Sequence, residues 1–287
     1  MEKRALAFID ILGFSNIVYS SPDKVMKIIS IVKGYSRDIR SKKNDEYDDQ
    51  RLLPAIFGGS GADIYAMIKT SSYKLLNDSD FQITYFSDSI VASCKPEYIE
   101  SLITIVSNIV NALLEVPCLC RGGIAIDDAY HDRGDIVGIA MIRAYKIESE
   151  IANYPRVVLE NSVANIILEI GKEFETKLGN YPRFEGKVRT SATNPKDKIM
   201  RDFDGSYILR PFYRSSYTGS LLYSGDKGAE NAARNKWLGK WRSFILSEIE
   251  KETDEKVKLK QYWLAKKYND FVKEFETDND LLDIEWV

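Results

Sequence analysis

Apolar residues along the chain fall into runs whose spacing alternates between that of a buried strand and that of an amphipathic helix. Residues 4–12, RALAFIDIL, are almost continuously apolar, the pattern of a strand covered on both faces. From Ser15 to about Arg40 the spacing turns helical, with Ile17, Met26, Ile29, Val32 and Tyr35 among the apolar positions. Residues 40–51, RSKKNDEYDDQR, predict a charge-rich loop, and FGGSGADIYAMIKTSSYKLL after it predicts a flexible turn opening another helix. Phe81–Phe86 and Ile90–Cys94 are β-rich runs that meet at Ser87-Asp88-Ser89, a turn-prone triplet. Ile99, Leu102, Ile105, Ile109 and Leu113 recur at helical intervals. PCLCRGGIAID then predicts a strand, AYHDRGD a polar turn, and GIAMIRAYKIESEIA a helix. RVVLE reads as a short strand and NSVANIILEIGKEFETKL as one more helix.

The order β-α-β-β-α-β-α-β over the first ~165 residues predicts an α/β (α+β) sandwich of the ferredoxin-like kind. Its centre is a mostly antiparallel sheet with helices packed on it. Residues 181–224 are less regular, with DFDGSYIL the clearest strand after a turn. Residues 228–276 are helical and charged, anchored by Trp237, Trp241, Phe244, Ile245, Trp263, Leu264 and Tyr268. The expected division is therefore a domain over 1–224 and a helical C-terminal extension over 225–287.

Composition narrows the function classes. With 44% hydrophobic and 29% charged residues, the 287-residue chain has material for a real core. A net charge of −3 gives no overall pull toward nucleic acid or anionic membrane, and neither is expected as a partner. Cys94, Cys118 and Cys120 do not make a disulfide framework; buried packing in a reduced cytoplasmic setting suits them. Asp10 interrupts the early apolar run, which argues against a signal peptide, and no uncharged stretch of ~18 residues predicts a membrane span. The single histidine, His131, excludes mechanisms needing two and is expected in a solvated loop. Catalysis, if present, rests on carboxylates and basic side chains.

Two carboxylates stand out by position. Asp10 lies at the end of the first strand, and Asp88 at the tip of the hairpin between the second and third. If those strands are neighbours, the side chains converge despite 78 intervening sequence steps. Paired carboxylates beside a glycine turn suit Mg²⁺ or Mn²⁺, hard ions that favour oxygen and leave positions for phosphate and water. Gly13-Phe14-Ser15 would then open a helix whose free N–H groups can receive phosphate. Taken alone, such a pair also has a structural reading, in salt bridges.

The complete pattern resembles the class III nucleotidyl cyclases. Asp10-Ile11-Leu12-Gly13-Phe14-Ser15 matches their first metal-binding stretch, and Ser87-Asp88 matches the hairpin that carries their second metal aspartate, often as Gly-Asp. RGGIAI, GIAMIRAYKIES, NYPRVVLE, DFDGSYIL and the tail ending WLAKKYNDFV look like the pyrimidine nucleotide cyclases of Pycsar anti-phage systems. That resemblance implies conversion of UTP or CTP to the 3′,5′-cyclic monophosphate and pyrophosphate. It also implies a separately encoded effector that the messenger activates. Two divalent ions, Mn²⁺ or Mg²⁺, would be held by Asp10, Asp88 and the backbone of Ile11. Backbone groups of Ile11, Gly13, Phe14 and Ser15 would complete the phosphate site. The resemblance further implies a head-to-tail homodimer with shared active sites.

Departures from the family pattern bear on the substrate. Asp135 falls at a base-contacting position, Ile142 where adenylyl cyclases have a ribose-orienting Asn, and Lys146 where they have a transition-state Arg. Arg143, one turn earlier, competes with Lys146 for that role. Thr84 stands where adenylyl cyclases read adenine with Lys, and a hydroxyl there is compatible with a pyrimidine edge. Arg121 is a candidate for phosphate contact or for structural pairing. The alternative function is a non-catalytic nucleotide-binding or sensor module. A diguanylate cyclase is disfavoured because FGGSGAD lacks the acid-aromatic pair of the Gly-Gly-Asp/Glu-Glu-Phe signature.

Overall fold

The computed structural model describes residues 1–44, 80–116, 118–179, 194–212 and 227–273. The chain divides into two units, Met1–Arg210 and Pro211–Val287. The expected boundary at 224/225 lies outside the described residues, as does the helix expected within 57–76.

The first unit is built on an eight-stranded sheet. Its strands are β1 (Glu2–Ile11), β2 (Gln82–Phe86), β3 (Ser89–Cys94), β4 (Cys120–Asp132), β5 (Asp135–Gly138), β6 (Val157–Leu159), β7 (Ile199–Arg201) and β8 (Tyr207–Leu209). The order is β2-β3-β1-β4-β6-β8-β7, with β5 pairing only with β4. Every pairing is antiparallel except β4 with β6. Read from β4, the order β4-β1-β3-β2 is the ferredoxin-like arrangement expected from the element order.

Alternation along β1 explains the layers. Ala5, Ala7, Ile9 and Ile11 point into the main core, while Arg4, Leu6, Phe8 and Asp10 alternate onto the other face. The core face is covered by α2 (Pro22–Asn44), α3 (Ile99–Glu115) and α5 (Asn161–Gly179). All five apolar positions expected on α3 are buried. With its preceding turn this helix, Pro96–Leu114, is long and apolar enough to cross a membrane, but half of it is buried in the fold.

The opposite face carries α4 (Ile139–Lys146), which continues as a π-helical turn over Ile147–Ile151. Gly123 on β4 permits this, because a Cβ there would collide with the Ala144 carbonyl and the Ile147 side chain. Phe8 meets Tyr145 edge-on across the same contact, with ring centroids 5.5 Å apart.

Several local expectations are corrected. The single helix from Ser15 is two, α1 (Phe14–Ser20) and α2, because Pro22 can start a helix but not continue one. On α2 it is Ile28 and Val32 that are buried, whereas Met26 is exposed. The expected loop beginning at Arg40 is helical as far as Asn44. The turn expected over AYHDRGD is confined to Arg133-Gly134; β4 runs on to Asp132 and the chain returns as β5.

In the second unit, α6 (Lys227–Lys251) and α7 (Glu255–Lys273) form a helical pair. Phe212 packs edge-on against Trp237, Trp241 and Tyr268. Tyr268 donates its hydroxyl to the Leu238 carbonyl at 3.0 Å, satisfying the phenol oxygen in that nest. The three cysteines of the chain are buried and unbridged, and burial pushes the Cys94 and Cys120 thiols up to about 12.

Candidate active site

The register of β1 decides which chemistry meets. Asp10 pairs with Ser89 on one side and with Arg121 on the other. Asp88 precedes Ser89 in the β2–β3 turn, so both carboxylates lie at the same end of the sheet. Ile11 ties them together by donating its N–H to the Asp88 carbonyl at 2.9 Å. Beyond it the chain turns through Gly13, whose φ of 69° and ψ of 19° are left-handed, and enters α1. Phe14 anchors this turn on the core while Ser15 is exposed. Ser87, the first residue of the hairpin turn, is held at φ 51°.

The charges at this end are only partly balanced. Arg121 Nε lies 3.6 Å from Asp10 Oδ2 and also pairs with Glu148. Burial raises the Asp10 pKa most; Arg121 opposes the rise and the charge of Asp88 adds to it. Glu148, buried on the π-helical turn, is likewise raised by burial, with Arg121 opposing and Asp10 adding. Glu148 was not among the residues singled out from sequence. Its neighbours in IESEI give no hint that a π-turn folds it inward.

Further along the same sheet face, Thr84 is held by His131, with Oγ1 2.9 Å from Nε2. His131 is not the solvated loop residue expected; it is buried at the end of β4. Its Nδ1 lies 2.8 Å from Ser93 Oγ, which accepts from Arg4 Nε at 3.0 Å. Burial, helped by Arg4, pushes the His131 pKa down to about 4. Arg4 is itself buried and donates to Glu2, to the Asp80 carboxylate and to the Asp80 carbonyl. Asp135 pairs with Asp132, whereas His131 pairs with Ile136, so Asp135 and His131 belong to opposite faces of the β4–β5 hairpin.

Of the basic candidates on α4, Arg143 is held on other partners. Arg143 pairs with Asp127 at 2.7 Å and with Glu160. Asp127 is opposite Arg4 on β1, six residues from the Asp10–Arg121 pair, or roughly 20 Å along the strand. Lys146 is exposed and, with Arg143, Glu160 and Asn161, lines a cavity of about 350 Å³. Ile142 is likewise exposed. One chain thus gathers Asp10, Ile11, Gly13, Phe14, Ser15, Asp88 and Arg121, and keeps Arg143 apart from them.

Among the described residues no group of three or more His, Cys, Asp or Glu is placed to hold a metal ion. The residues present nevertheless suit a hard cation. Two oxygen donors of like charge are held close enough for one to raise the other's pKa, and Arg121 offsets them incompletely. Such a pair leaves the remaining coordination to phosphate and water.

No protein-family model matches the chain, and no curated protein matches it. Among solved structures it is similar to a bacterial light-regulated adenylyl cyclase at 16% identity, over 57% of this chain and 78% of that one, with TM-score 0.29. It is similar to the adenylyl cyclase CyaB from P. aeruginosa at 11% identity, over 74% and 96%, with TM-score 0.31. Another structure of a bacterial light-regulated adenylyl cyclase gives 13% identity, over 77% of this chain and 57% of that one, with TM-score 0.32. At this overlap the likenesses carry no argument for substrate or chemistry.

Proposed function

We propose that this chain is a nucleotidyl cyclase that converts a pyrimidine nucleoside triphosphate, UTP or CTP, to its 3′,5′-cyclic monophosphate, releasing pyrophosphate. The observation that carries the reading is the meeting of Asp10 and Asp88, joined through the Ile11–Asp88 hydrogen bond and followed by the Gly13 turn. In this reading Asp10, Asp88 and the Ile11 carbonyl hold Mg²⁺ or Mn²⁺, two ions per site. The metal supplies charge neutralisation on the triphosphate and acidifies the ribose hydroxyl.

The ribose 3′-oxygen attacks the α-phosphorus, a new P–O bond forms, and the α–β bridging bond breaks. The hydroxyl proton passes to water, and pyrophosphate leaves with the electron pair of the broken bond. Because the attack is intramolecular, orientation by Gly13, Phe14 and Ser15 supplies much of the acceleration. Thr84, Asp135, Arg143 and Lys146 serve base and phosphate contacts, with Arg121 bracing Asp10.

Separation of Arg143 from the carboxylates within one chain supports a homodimer in which the two protomers complete each other's sites. The apolar side chains Tyr130, Val137, Ile139, Ile142, Tyr145 and Ile151, each between 43% and 56% exposed, give such a dimer a surface. On the sequence resemblance, the enzyme acts in the cytoplasm as messenger synthase of an anti-phage system, linked to its effector only through the cyclic nucleotide.

Purified protein incubated with the four nucleoside triphosphates and Mn²⁺ should release pyrophosphate and a cyclic monophosphate from UTP or CTP. Mixing Asp10→Ala with Lys146→Ala chains should restore part of the activity that each lacks. A second reading, a nucleotide-binding module without turnover, is favoured by the Arg121–Asp10 and Arg143–Asp127 pairs, which already occupy two of the needed groups. Binding of UTP or CTP with no product, under any divalent ion, would establish it.

A further inference from the structure

Arg121 stands between two carboxylates, and it is nearer to the one that the proposed reaction does not use. Its Nε is in ion-pair contact with Glu148 and lies 3.6 Å from Asp10 Oδ2, beyond hydrogen-bond reach. Asp10 and Arg121 are cross-strand partners in the β1–β4 register. Without a competitor they would form the ordinary pair of opposite charges on neighbouring strands. Glu148 is the competitor.

Glu148 is fixed by its surroundings. It is buried on the π-helical turn, and Ile147 beside it presses onto Gly123, where a Cβ would collide with it. Single π-turns are used sparingly and often at functional sites. A buried carboxylate needs a partner, and among the described residues Arg121 is its cationic one. The pair is held by charge, since neither Arg121 Nε nor Glu148 Oε1 makes an aligned hydrogen bond. Burial raises the pKa of both Asp10 and Glu148; Arg121 opposes each rise, and each carboxylate adds to the other's. The three groups therefore share one balance of charge.

We propose that Glu148 is a positioning residue for Asp10: by holding Arg121 it keeps the guanidinium from closing on Asp10 and leaves the Asp10 oxygens open to a divalent cation. This rests on the cyclase reading of Asp10 and Asp88. It also accounts for the incomplete offset of those carboxylates, because the Arg121 charge is divided with a third.

Glu148→Gln keeps the shape of the side chain and removes its charge, so Arg121 is drawn to Asp10. Mn²⁺ binding to the full chain without nucleotide, read from loss of the free-ion EPR signal, should weaken by about tenfold, the scale of one unbalanced charge beside a partly buried site. Adding Arg121→Met to Glu148→Gln should return the affinity to within a few-fold of wild type, which a residue that only supports the fold would not do. A metal-free measurement reads the same competition. Asp10→Ala should leave the urea midpoint level or raised in wild type, and should lower it in the Glu148→Gln background, where Arg121 has paired with Asp10.

Unchanged Mn²⁺ affinity in Glu148→Gln, or a loss that Arg121→Met does not reverse, overturns the proposal and leaves the cyclase reading standing. So does a midpoint shift on Asp10→Ala that is the same in both backgrounds. Should Glu148→Gln not fold, Glu148→Asp, which withdraws the carboxylate by one methylene, carries the same test with a smaller expected loss, and no loss there overturns the proposal. Mn²⁺ binding that Asp10→Ala does not weaken in wild type counts against the metal reading itself and overturns both.

Discussion

The two ends of β1 each place one charge on the same face of the sheet, and their surroundings differ in kind. Arg4 is buried and meets an acceptor at every nitrogen position that turns inward: Ser93, Glu2, and two oxygens of Asp80. Asp10 is half-buried, and burial raises its pKa; Arg121, at 3.6 Å, opposes the rise and the second carboxylate, Asp88, adds to it. The Arg4 end is arranged as a fold stabilises a charge, with each of the three guanidinium nitrogens donating to an acceptor. At the Asp10 end like charges are held together at a cost to stability, which is the arrangement expected where a cation or a transition state completes the balance.

Substitution should separate the ends cleanly. Asp10→Ala or Asp88→Ala should lower cyclic nucleotide formation by about 10³-fold, the scale of removing a principal electrostatic group from a site. Thermal stability of Asp10→Ala should stay level or rise, since a carboxylate whose charged form burial disfavours is removed. Calorimetry beside the pyrophosphate assay checks both halves. Unfolding of both variants would mean that the carboxylates are structural.

Arg4→Met should do the opposite at the other end. Breaking a buried ion pair costs several kcal/mol; Glu2 and Asp80 can reach water, so about 3 kcal/mol is expected here. Urea unfolding reads this directly. A loss below about 1 kcal/mol would show that the Arg4 network contributes little beyond surface ion pairs.

His131 gives the Arg4 end a pH signature. Its folded pKa, about 4, lies below the ordinary 6.5. As pH falls below 6.5 the unfolded chain takes up a proton that the folded chain refuses, so stability is lost through the window from 6.5 toward 4. Between about pH 7 and pH 5 the loss should be about 2 kcal/mol. The His131→Gln variant should show a correspondingly flatter profile than wild type. Identical slopes would place His131 in water.

How much of this was legible in the sequence follows from how local each cause is. The strand at β1, the hairpin at Ser87–Asp88 and the amphipathic α3 follow from alternation and turn residues within a few positions; the meeting of Asp10 with Asp88 was conditional on those strands being neighbours, which the β1–β3 register supplies. The β4–β5 hairpin was hidden because its residues, Asp127 through Asp135, are polar. They are tolerated there because Lys3 and Arg143 pair with Asp127, and because Arg133 and Gly134 turn at φ 48° and 107°. Burial of His131 depends on Arg4 and Ser93, which are brought to it only by the sheet register. Glu148 is placed by a π-turn that has no signal in IESEI. The burial of His131 and the pairing of Asp127 are thus set by partners distant along the chain, whereas the break before α2 is local, at Pro22.

The smallest effect probes the turn that delivers Asp88. Ser87 holds φ 51°, a conformation costing a residue with a Cβ about 1–2 kcal/mol. Glycine removes that cost but gives back roughly 0.5–1 kcal/mol through the extra freedom of the unfolded chain. Ser87→Gly should therefore stabilise the chain by about 0.5 kcal/mol, visible as a small rise in urea midpoint. Activity should hold, because the Ile11 hydrogen bond fixes the Asp88 backbone independently of the Ser87 side chain. If instead activity falls while stability rises, the strain at Ser87 is aiming the Asp88 carboxylate. The sheet register alone would then not account for the Asp10 end.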